Sequence, residues 1–339
     1  MRPRIFVTQP VARSALERLR SIAEVDINPD PVHIATKDEL LAAVRTHDIL
    51  YCLLHDRVDR DVIAANPGLR VIASMKITPS DIDVEEATRR RIPVTVIPPI
   101  VTEATADLHM ALLLAVARRI VEGDRLVRAG IFPGAQSSHL EGVMLADKVL
   151  GLIGGGGRIG RAVAKRARGF GMKLIYWSPR RKPEGEQEVG LTYVPFDQLL
   201  TEADFVSVHT PLTPETRHQI GARELNLMKS TAFLVNTARG PIIDEAALTR
   251  ALVERRIAGA GLDVFENEPR VEAALLALPN VVLTPHLGSA AREIREVMAN
   301  VVVDNIIAIL QGRQPPNCWN PEIYAASHTA TGGAGKENP

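Results

Sequence analysis

The chain has few cysteines, no net charge and no long apolar run, and each of these absences excludes a class of protein. Among its 339 residues only Cys52 and Cys318 are cysteines, and neither stands in a C-x-x-C pair. The nine histidines show no metal-ligand spacing with cysteine or aspartate, so the sequence predicts no metal site. Because the first residues contain no signal-like segment, we expect a reducing, cytoplasmic location.

Charge and hydropathy limit the partners of the protein. Lys and Arg number 40, as do Asp and Glu, so the formal net charge is zero. A neutral protein is not expected to bind nucleic acid through bulk electrostatics. The longest apolar run, "MALLLAVA" at 110–117, is far shorter than the roughly 20 residues that cross a bilayer. We therefore expect neither a nucleic-acid nor a membrane partner.

Apolar segments of strand length alternate with helical patterns in two series. The first has strands predicted at Ile5–Thr8, Val25–Ile27, Ile49–Leu53, Val71–Ser74 and Val94–Val96, and the second at Val149–Ile153, Lys173–Trp177, Phe205–His209, Ala232–Asn236, Gly259–Val264 and Val281–Thr284. Such alternation predicts an α/β protein with two doubly wound parallel sheets. One long helix is predicted between the series, from Thr102 as N-cap to Gly130, and another over 288–311. The polar tail at 327–339 is predicted to be disordered.

The stretch "GLIGGGGRIG" at 151–160 stands between a strand and an amphipathic helix. One register fits the dinucleotide pattern G-x-G-x-x-G, with Gly155, Gly157 and Gly160 as its glycines. The helix that follows, with Arg158 and Ile159 in its first turn, would direct free N–H groups towards a pyrophosphate. Gly154 and Gly156 fall outside the pattern, and we predict a bulge at the strand end to accommodate them.

The end of the next strand bears on which dinucleotide is bound. An NAD site commonly has an acidic residue about 20 positions beyond the fingerprint, where it accepts the ribose hydroxyls. Here Ser178 stands at that spacing, followed by Arg180 and Arg181. A hydroxyl and guanidinium groups suit a 2′-phosphate, so NADP(H) is predicted as the preferred cofactor, with NAD(H) as the second. The alternative is a solvated basic turn without a ligand.

Three charged side chains follow predicted strands in the later half of the chain: Arg239, Glu268 and His286. Open α/β sheets bind ligands at the carboxyl ends of their strands, so these side chains are candidates for one crevice. Reduction of a keto acid needs a cation for the carboxylate, an imidazole as proton donor and a carboxylate that keeps the imidazole protonated. Each residue alone could equally be an ordinary surface, turn or core residue.

These motifs carry a family resemblance. The segments "TEATADL", "GGGGRIGRAVAKRARGFGM", "HTPLTPETRH", "NTARGPIIDEAAL", "GLDVFENEP" and "PHLGSA" make the chain resemble the D-isomer-specific 2-hydroxyacid dehydrogenases, particularly the glyoxylate/hydroxypyruvate reductase branch. The resemblance implies an enzyme with a Rossmann cofactor domain at 101–287 inserted in a flavodoxin-like substrate domain at 1–100 plus 288–325. It implies that Arg239 binds substrate, His286 is the general acid/base and Glu268 supports it. Further residues that would line the cofactor are Thr105, His209, Pro211, Thr216, Thr237, Ala238, Asp263 and Gly288.

The substrate-domain loop departs from the family pattern. Family members have a glycine-containing loop that holds the substrate carboxylate, whereas this chain reads "SMKITPSDIDV", with Thr78 at the glycine position. We predict Leu54, Lys76, Ile77 and Thr78 as substrate-binding residues beside Arg239. Lys76 has two interpretations: a positive group for a more anionic substrate, or a lysine turned to solvent, which we favour.

His109 lies on the long helix where the family usually has a small residue. A second catalytic histidine and a packing or interface histidine are both open, and we favour the latter. The same helix packs subunits together in the resembling family, so we expect a homodimer. The predicted function is NAD(P)H-dependent reduction of a small 2-keto acid to the D-2-hydroxy acid. The alternatives are a relative acting on a 2-keto sugar acid or phosphite, and a dinucleotide-sensing protein like the family's corepressor relatives.

Overall fold

The structure is a computed structural model and describes residues 2–325. The tail predicted to be disordered, 327–339, lies outside the described residues. The chain divides into two compact units. One comprises the residues up to Ile100 together with the described residues from Ala291 onwards, and the other is Val101–Ala290.

The strands and helices follow one another in the alternation expected from the sequence. The strands are β1 Arg4–Val7, β2 Glu24–Ile27, β3 Ile49–Cys52, β4 Val71–Ser74, β5 Val94–Thr95, β6 Val149–Ile153, β7 Lys173–Trp177, β8 Thr192–Tyr193, β9 Phe205–Val208, β10 Phe233–Asn236, β11 Gly259–Leu262 and β12 Val281–Leu283. The helices are α1 Arg13–Ile22, α2 Lys37–Thr46, α3 Arg60–Ala64, α4 Val84–Arg89, α5 Thr102–Ala117, α6 Ile120–Arg128, α7 Arg158–Gly169, α8 Pro183–Val189, α9 Phe196–Glu202, α10 Ala222–Leu227, α11 Glu245–Val253, α12 Ala273–Leu276, α13 Arg292–Leu310 and α14 Glu322–Ala325.

The first unit contains a five-stranded parallel sheet in the order β2-β1-β3-β4-β5. This is the flavodoxin-like order, in which the direction of strand addition reverses between β1 and β3. β3 and β4 are buried along their whole length because helices cover both faces of the sheet. Thr36 caps α2 through a reciprocal capping box with Glu39, which fixes where that helix begins.

The second unit contains a seven-stranded sheet in the order β12-β11-β10-β9-β6-β7-β8, in which every paired strand is parallel. The strand order reverses between β6 and β9, which makes that gap the expected ligand crevice. Side chains of β9 alternate between two cores: Val206 and Val208 pack in one, whereas Phe205 packs in the other with α5. The predicted fold class, two doubly wound parallel sheets, is confirmed.

Two local predictions were wrong. The long helix is interrupted: α5 ends at Ala117, and Arg119 has a left-handed backbone (φ 52°) before α6 begins. Thr102 is the first helical residue rather than the N-cap, which is Val101. A left-handed residue that is not glycine is uncommon, and the sequence carries no glycine or proline there to signal the break.

Over the described residues, no helix has the length and apolar content needed to cross a membrane.

Candidate active site

The turn between β6 and α7 is packed closely around its glycines. A Cβ at Gly160 would lie 2.6 Å from Gly155 Cα, so the helix packs directly on the turn and only glycine fits there. A Cβ at Gly157 would lie 3.2 Å from the Gly154 carbonyl oxygen, a tight contact that a shift of a few tenths of an ångström would relieve. Gly157 is the N-cap residue of α7 and has no side chain with which to cap the helix. Open backbone ahead of an uncapped helix fits the phosphates of a dinucleotide.

The surplus glycines do not form the predicted bulge but belong to a turn. Gly154 has a left-handed backbone (φ 79°), and a Cβ there would lie 2.9 Å from the carbonyl carbon of His209. The residues that directly follow β6 and β9 therefore touch through their backbones at the strand-order reversal. This contact forms the floor of the expected crevice.

The basic turn after β7 is partly neutralised. Ser178 Oγ donates to the carbonyl of Arg180 (2.6 Å), and the Arg180 side chain is exposed. Arg181 forms a bidentate pair with Glu186, with both nitrogen–oxygen distances 2.7 Å. The Arg181 guanidinium, together with the Tyr176 hydroxyl, lowers the pKa of Glu186 to about 2. Glu186 lies on α8, further along the chain than the spacing rule examines, but its side chain reaches back to Arg181 in the turn after β7.

The loop after β9 is held by hydroxyl contacts. The Thr216 hydroxyl donates to the Pro211 carbonyl (2.7 Å) and receives the Thr213 backbone N–H (2.7 Å). These bonds bring two of the predicted cofactor residues into one closed turn. His209, at the start of this loop, bonds through Nε2 to Ser207 Oγ at 2.6 Å.

The turn after β10 carries Thr237, Ala238 and Arg239. Asn236 shapes it, because its side chain accepts the Ala238 N–H (2.9 Å) and donates to the Arg239 carbonyl (3.0 Å). The Arg239 side chain is exposed, and its Nη1 donates to the Ala238 carbonyl at 2.6 Å. An asparagine at the end of a strand is a turn signal that could have been read from "VNTARG".

Gly240 joins this turn to the one that carries Glu268. A Cβ at Gly240 would lie 1.9 Å from the carbonyl oxygen of Phe265, so the two backbones are in direct contact. Glu268 Oε1 accepts the Phe265 N–H at 3.0 Å. The loops that present Arg239 and Glu268 are thus held against each other by a contact that no larger residue could make.

The side chains of His286 and Glu268 are hydrogen-bonded to each other. The Nδ1 atom of His286 lies 2.9 Å from Oε2 of Glu268. His286 has a left-handed backbone (φ 56°), which its N–H bonds to the carbonyls of Asp263 and Thr284 hold in place. A histidine in this conformation is strained, and such strain concentrates at functional sites. The arrangement fixes the orientation of the imidazole ring.

Asp263 organises the adjoining turn from within the core. Its Oδ1 accepts from the Thr284 hydroxyl and the Leu287 N–H, both at 2.6 Å, and its Oδ2 accepts the Gly288 N–H at 2.8 Å. Burial raises the pKa of Asp263 against the lowering effect of these bonds. The Thr105 hydroxyl donates to the Gly288 carbonyl at 3.0 Å. Three predicted cofactor residues, Thr105, Asp263 and Gly288, therefore form one cluster.

In the first unit, the predicted substrate loop lies at the carboxyl end of β4. Ile77 is half-buried and Thr78 is exposed, and Leu54 is half-buried after β3. Our preferred interpretation of Lys76 was wrong: its side chain is only 5 % exposed, and its Nζ lies 2.5 Å from Asp81 Oδ2. Burial alone would raise the pKa of Asp81, but the Lys76 ammonium outweighs it and the pKa is lowered. An ion-paired lysine cannot be recognised without knowing that its partner folds back onto it.

Of the two favoured interpretations of His109, a packing residue is confirmed and an interface residue is wrong. His109 has no exposed surface. Both of its ring nitrogens bond to side chains in the interior of the second unit, those of Thr237 and Ser207.

Comparison with known proteins identifies the family. The family profile described as "D-isomer specific 2-hydroxyacid dehydrogenase, NAD binding domain" matches residues 110–288. The chain is 48% identical to a glyoxylate reductase of Thermococcus litoralis over 96% of this chain and 99% of the relative. A crystal structure of the TT0316 protein from Thermus thermophilus superposes with a TM-score of 0.86, at 45% identity, over 93% of this chain and 99% of that one. A crystal structure of a glyoxylate reductase from Paecilomyes thermophila has a TM-score of 0.76 at 33% identity, covering 95% of this chain and 100% of that one.

The match spans both units, and it includes the turns that carry Arg239, Glu268 and His286. The predicted resemblance is confirmed, and with it a nicotinamide cofactor and an oxidoreductase activity. The chain belongs to the D-isomer-specific 2-hydroxyacid dehydrogenase family.

Proposed function

We propose that the protein reduces glyoxylate, or a closely similar small 2-keto acid such as hydroxypyruvate, to the D-2-hydroxy acid. The observation that carries this proposal is the pair between His286 Nδ1 and Glu268 Oε2, at 2.9 Å, beside the turn that presents Arg239. The names of the glyoxylate reductases to which the chain is 48% and 33% identical support this choice of substrate.

The three side chains divide the work of carbonyl reduction. Arg239 holds the substrate carboxylate and polarises the keto oxygen, because a guanidinium can donate two parallel hydrogen bonds. His286 gives the proton on Nε2 to the oxygen as negative charge develops there. Glu268 orients the ring through Nδ1 and stabilises the imidazolium before transfer. A bound nicotinamide dinucleotide supplies the hydride.

Further residues of the second unit suit the dinucleotide. We propose that the pyrophosphate lies over Gly155, Gly157 and the first turn of α7, where Arg158, Ile159 and Gly160 present their N–H groups. Thr105, Asp263 and Gly288 form the cluster proposed to face the nicotinamide carboxamide. Further contacts come from His209, Pro211, Thr216, Thr237 and Ala238.

We propose that NADP(H) is preferred and that NAD(H) is also used. Ser178 places a hydroxyl, and Arg180 an exposed guanidinium, where an NAD site would commonly have a carboxylate. Arg181 should contribute less to binding of the 2′-phosphate than the sequence suggests, because its guanidinium already donates two hydrogen bonds to Glu186. The preference is therefore expected to be moderate rather than strict.

The charge of the substrate loop favours a singly charged keto acid. The Lys76 ammonium is neutralised by Asp81, so this pair adds no net positive charge for a second anionic group. A substrate with one carboxylate is the better match for the loop at Ile77 and Thr78. Leu54, which follows β3 in the same unit, is proposed as a further substrate-binding residue. This argues against phosphite, which carries two negative charges when fully ionised, more than against hydroxypyruvate.

We propose a cytoplasmic homodimer. Five large apolar side chains of α6 and the segment after it are exposed, at 54% for Ile120, 59% for Val127, 51% for Ile131, 81% for Phe132 and 70% for Met144. So many exposed apolar side chains in one short stretch are expected to be covered by a partner, here a second copy. Both cysteines are free thiols, which suits a reducing compartment.

The test is a substrate panel assayed by consumption of reduced dinucleotide. Glyoxylate and hydroxypyruvate should be turned over with a higher kcat/KM than a 2-keto sugar acid, and phosphite should not be oxidised. His286→Ala should lower kcat by about 10² to 10⁴-fold while leaving dinucleotide affinity near the wild-type value. Binding of NADPH without turnover of any member of the panel would contradict the proposed enzyme and favour a sensor.

A further inference from the structure

A chain of four hydrogen-bonded side chains crosses the second unit beneath the proposed cofactor crevice; three of them are buried and that of His209 is half-buried. His109 on α5 bonds through Nδ1 to Thr237 Oγ1 (2.9 Å) and through Nε2 to Ser207 Oγ (2.6 Å). The same Ser207 oxygen lies 2.6 Å from Nε2 of His209. The two imidazole rings are 4.7 Å apart between centroids and tilted by 48°. One helix and the ends of two strands are thereby linked through side chains alone.

Packing alone does not account for an imidazole at this position. The helix that carries His109, α5, contributes Ala106 and Leu113 to an apolar core that also contains Phe205 and Val235. An apolar side chain would fill the same space without the cost of removing two ring nitrogens from water. The structure meets that cost by giving both nitrogens of His109 a hydroxyl partner.

Two arrangements of the hydrogen atoms along these four side chains give the Ser207 proton an acceptor. Burial lowers the pKa of His209 to about 3, and burial, reinforced by His209, lowers the pKa of His109 far below its ordinary value, so both rings are neutral. Ser207 has one proton to donate and two imidazole partners. When Ser207 donates this proton to one ring, that ring accepts at Nε2 and the other ring donates Nε2–H to the Ser207 oxygen, so the two histidines are then opposite tautomers. The state of His109 sets the state of His209.

The ends of the chain lie where the dinucleotide is proposed to bind. His209 directly follows β9 at the strand-order reversal, and its backbone contacts Gly154 of the phosphate turn. Within the described residues, the buried Nδ1 atom of His209 has no hydrogen-bond partner. Thr237, at the other end, begins the turn that presents Arg239. An unsatisfied buried nitrogen costs free energy until a ligand or a water molecule meets it.

We propose that His109 is a positioning residue for the dinucleotide: it fixes the tautomer of His209 through Ser207 and holds the Thr237 hydroxyl through its other nitrogen. With the tautomer fixed, Nδ1 of His209 meets a polar group of the bound dinucleotide. This inference rests on the proposed function, because it takes the crevice between β6 and β9 as the dinucleotide site.

The test compares dinucleotide affinity among four variants. His109→Leu fills the space without hydrogen bonds, Ser207→Ala breaks the chain at its centre, and His109→Gln restores an amide that can reach Ser207. Met110→Leu is the matched control, since Met110 is the next residue of α5 and is buried in the same core. The readouts are the Kd of NADPH from fluorescence titration, the KM for NADPH and kcat.

We expect His109→Leu and Ser207→Ala each to raise the Kd and KM for NADPH about tenfold, the effect of one or two lost hydrogen bonds, with kcat changed less than about threefold. The double variant, His109→Leu with Ser207→Ala, should lose no more affinity for NADPH than either single variant, because both substitutions break the same chain of hydrogen bonds. His109→Gln should recover most of the affinity, and Met110→Leu should bind as the wild type does. A His109→Leu variant that loses thermal stability but keeps the wild-type Kd would overturn the inference.

Nuclear magnetic resonance of histidine labelled with ¹⁵N in the wild-type protein tests the same inference without a variant. The nitrogen shifts should identify one of the two rings as the Nδ1–H tautomer and the other as the Nε2–H tautomer. Two identical tautomers, or a charged ring at neutral pH, would refute it. A wild-type protein that binds neither NADPH nor NADH would overturn the proposed function as well, whereas unchanged binding by the variants overturns this inference alone.

Discussion

Replacing Gly240 with alanine should separate the two loops on which the proposed chemistry depends. A Cβ at this position would lie 1.9 Å from the Phe265 carbonyl oxygen and 2.0 Å from its carbonyl carbon. Ordinary carbon–oxygen contacts are above about 3 Å, so the backbones would have to separate by at least about 1 Å. Arg239 is the preceding residue, and Glu268 follows three residues after Phe265. The separation would therefore change the position of Arg239 relative to the Glu268–His286 pair.

The magnitude follows from how sharply carbonyl reduction depends on geometry. A misplacement of about 1 Å can cost about 100-fold in rate, so we expect the kcat/KM of Gly240→Ala for glyoxylate to fall by about that factor. Overpacking should also lower the free energy of unfolding by about 1 to 3 kcal/mol. The Kd of NADPH should change by less than about threefold, because the β6–α7 turn is left intact.

Gly169→Ala is the matched control. It makes the same substitution at the last residue of α7, where a Cβ would meet nothing within 4 Å. Its kcat/KM should equal the wild-type value, and its melting temperature should be equal or slightly higher because alanine favours a helix. A Gly240→Ala enzyme with kcat/KM within about threefold of the wild type and an unchanged melting temperature would refute the argument that this contact holds the site together.

Four further outcomes can be checked. Ser178→Asp should raise the ratio of kcat/KM with NADH to that with NADPH at least about tenfold, since a carboxylate repels the 2′-phosphate; an unchanged ratio would place the 2′-phosphate elsewhere. Arg239→Lys should raise the KM for glyoxylate about 10- to 100-fold, because a point charge cannot reproduce the bidentate fork; a small effect in steady-state assays would remove Arg239 as the anchor. Phe132→Asp should convert the dimer to a monomer in light-scattering measurements, and a wild type that is already monomeric would contradict the proposed interface. Burial lowers the pKa of His109 and His209 in the folded protein, so below about pH 6.5 the rings take up protons only in the unfolded state. Each ring should therefore lower the free energy of unfolding by about 1.4 kcal/mol per pH unit. In urea unfolding, the decrease in this free energy between about pH 6.5 and about pH 5.5 should be about 1 kcal/mol smaller for His109→Leu than for the wild type.

The fold could be predicted because its pattern is local. β4, β6 and β7 begin and end at the predicted residues, since each is a short apolar run followed by turn residues. The candidate site residues after β10, β11 and β12 could be selected for a related reason. A parallel sheet brings the carboxyl ends of its strands to one edge, so any polar residue just beyond a strand is a candidate without knowledge of its contacts.

The sequence could not reveal contacts that form only when a turn folds back on itself. Glu186 returns to Arg181 from α8, and Asp81 folds back onto Lys76, although both pairs are only five residues apart. Spacing does not reveal which charges will meet once a turn forms. The left-handed break at Arg119 similarly depends on packing, because no glycine or proline marks it.

The histidines of the second unit show that partner and burial, rather than residue type, decide the chemistry of an imidazole. His286 has a carboxylate partner 2.9 Å from Nδ1, which orients the ring and leaves Nε2 as the nitrogen proposed to act on the substrate. His109 has two hydroxyl partners in an apolar core, and burial lowers its pKa and keeps the ring neutral, so it can direct hydrogen bonds but cannot serve as an acid. The sequence left open whether His109 was a second catalytic histidine. The environment decides against it, because a ring that takes no proton at working pH has none to give to a substrate.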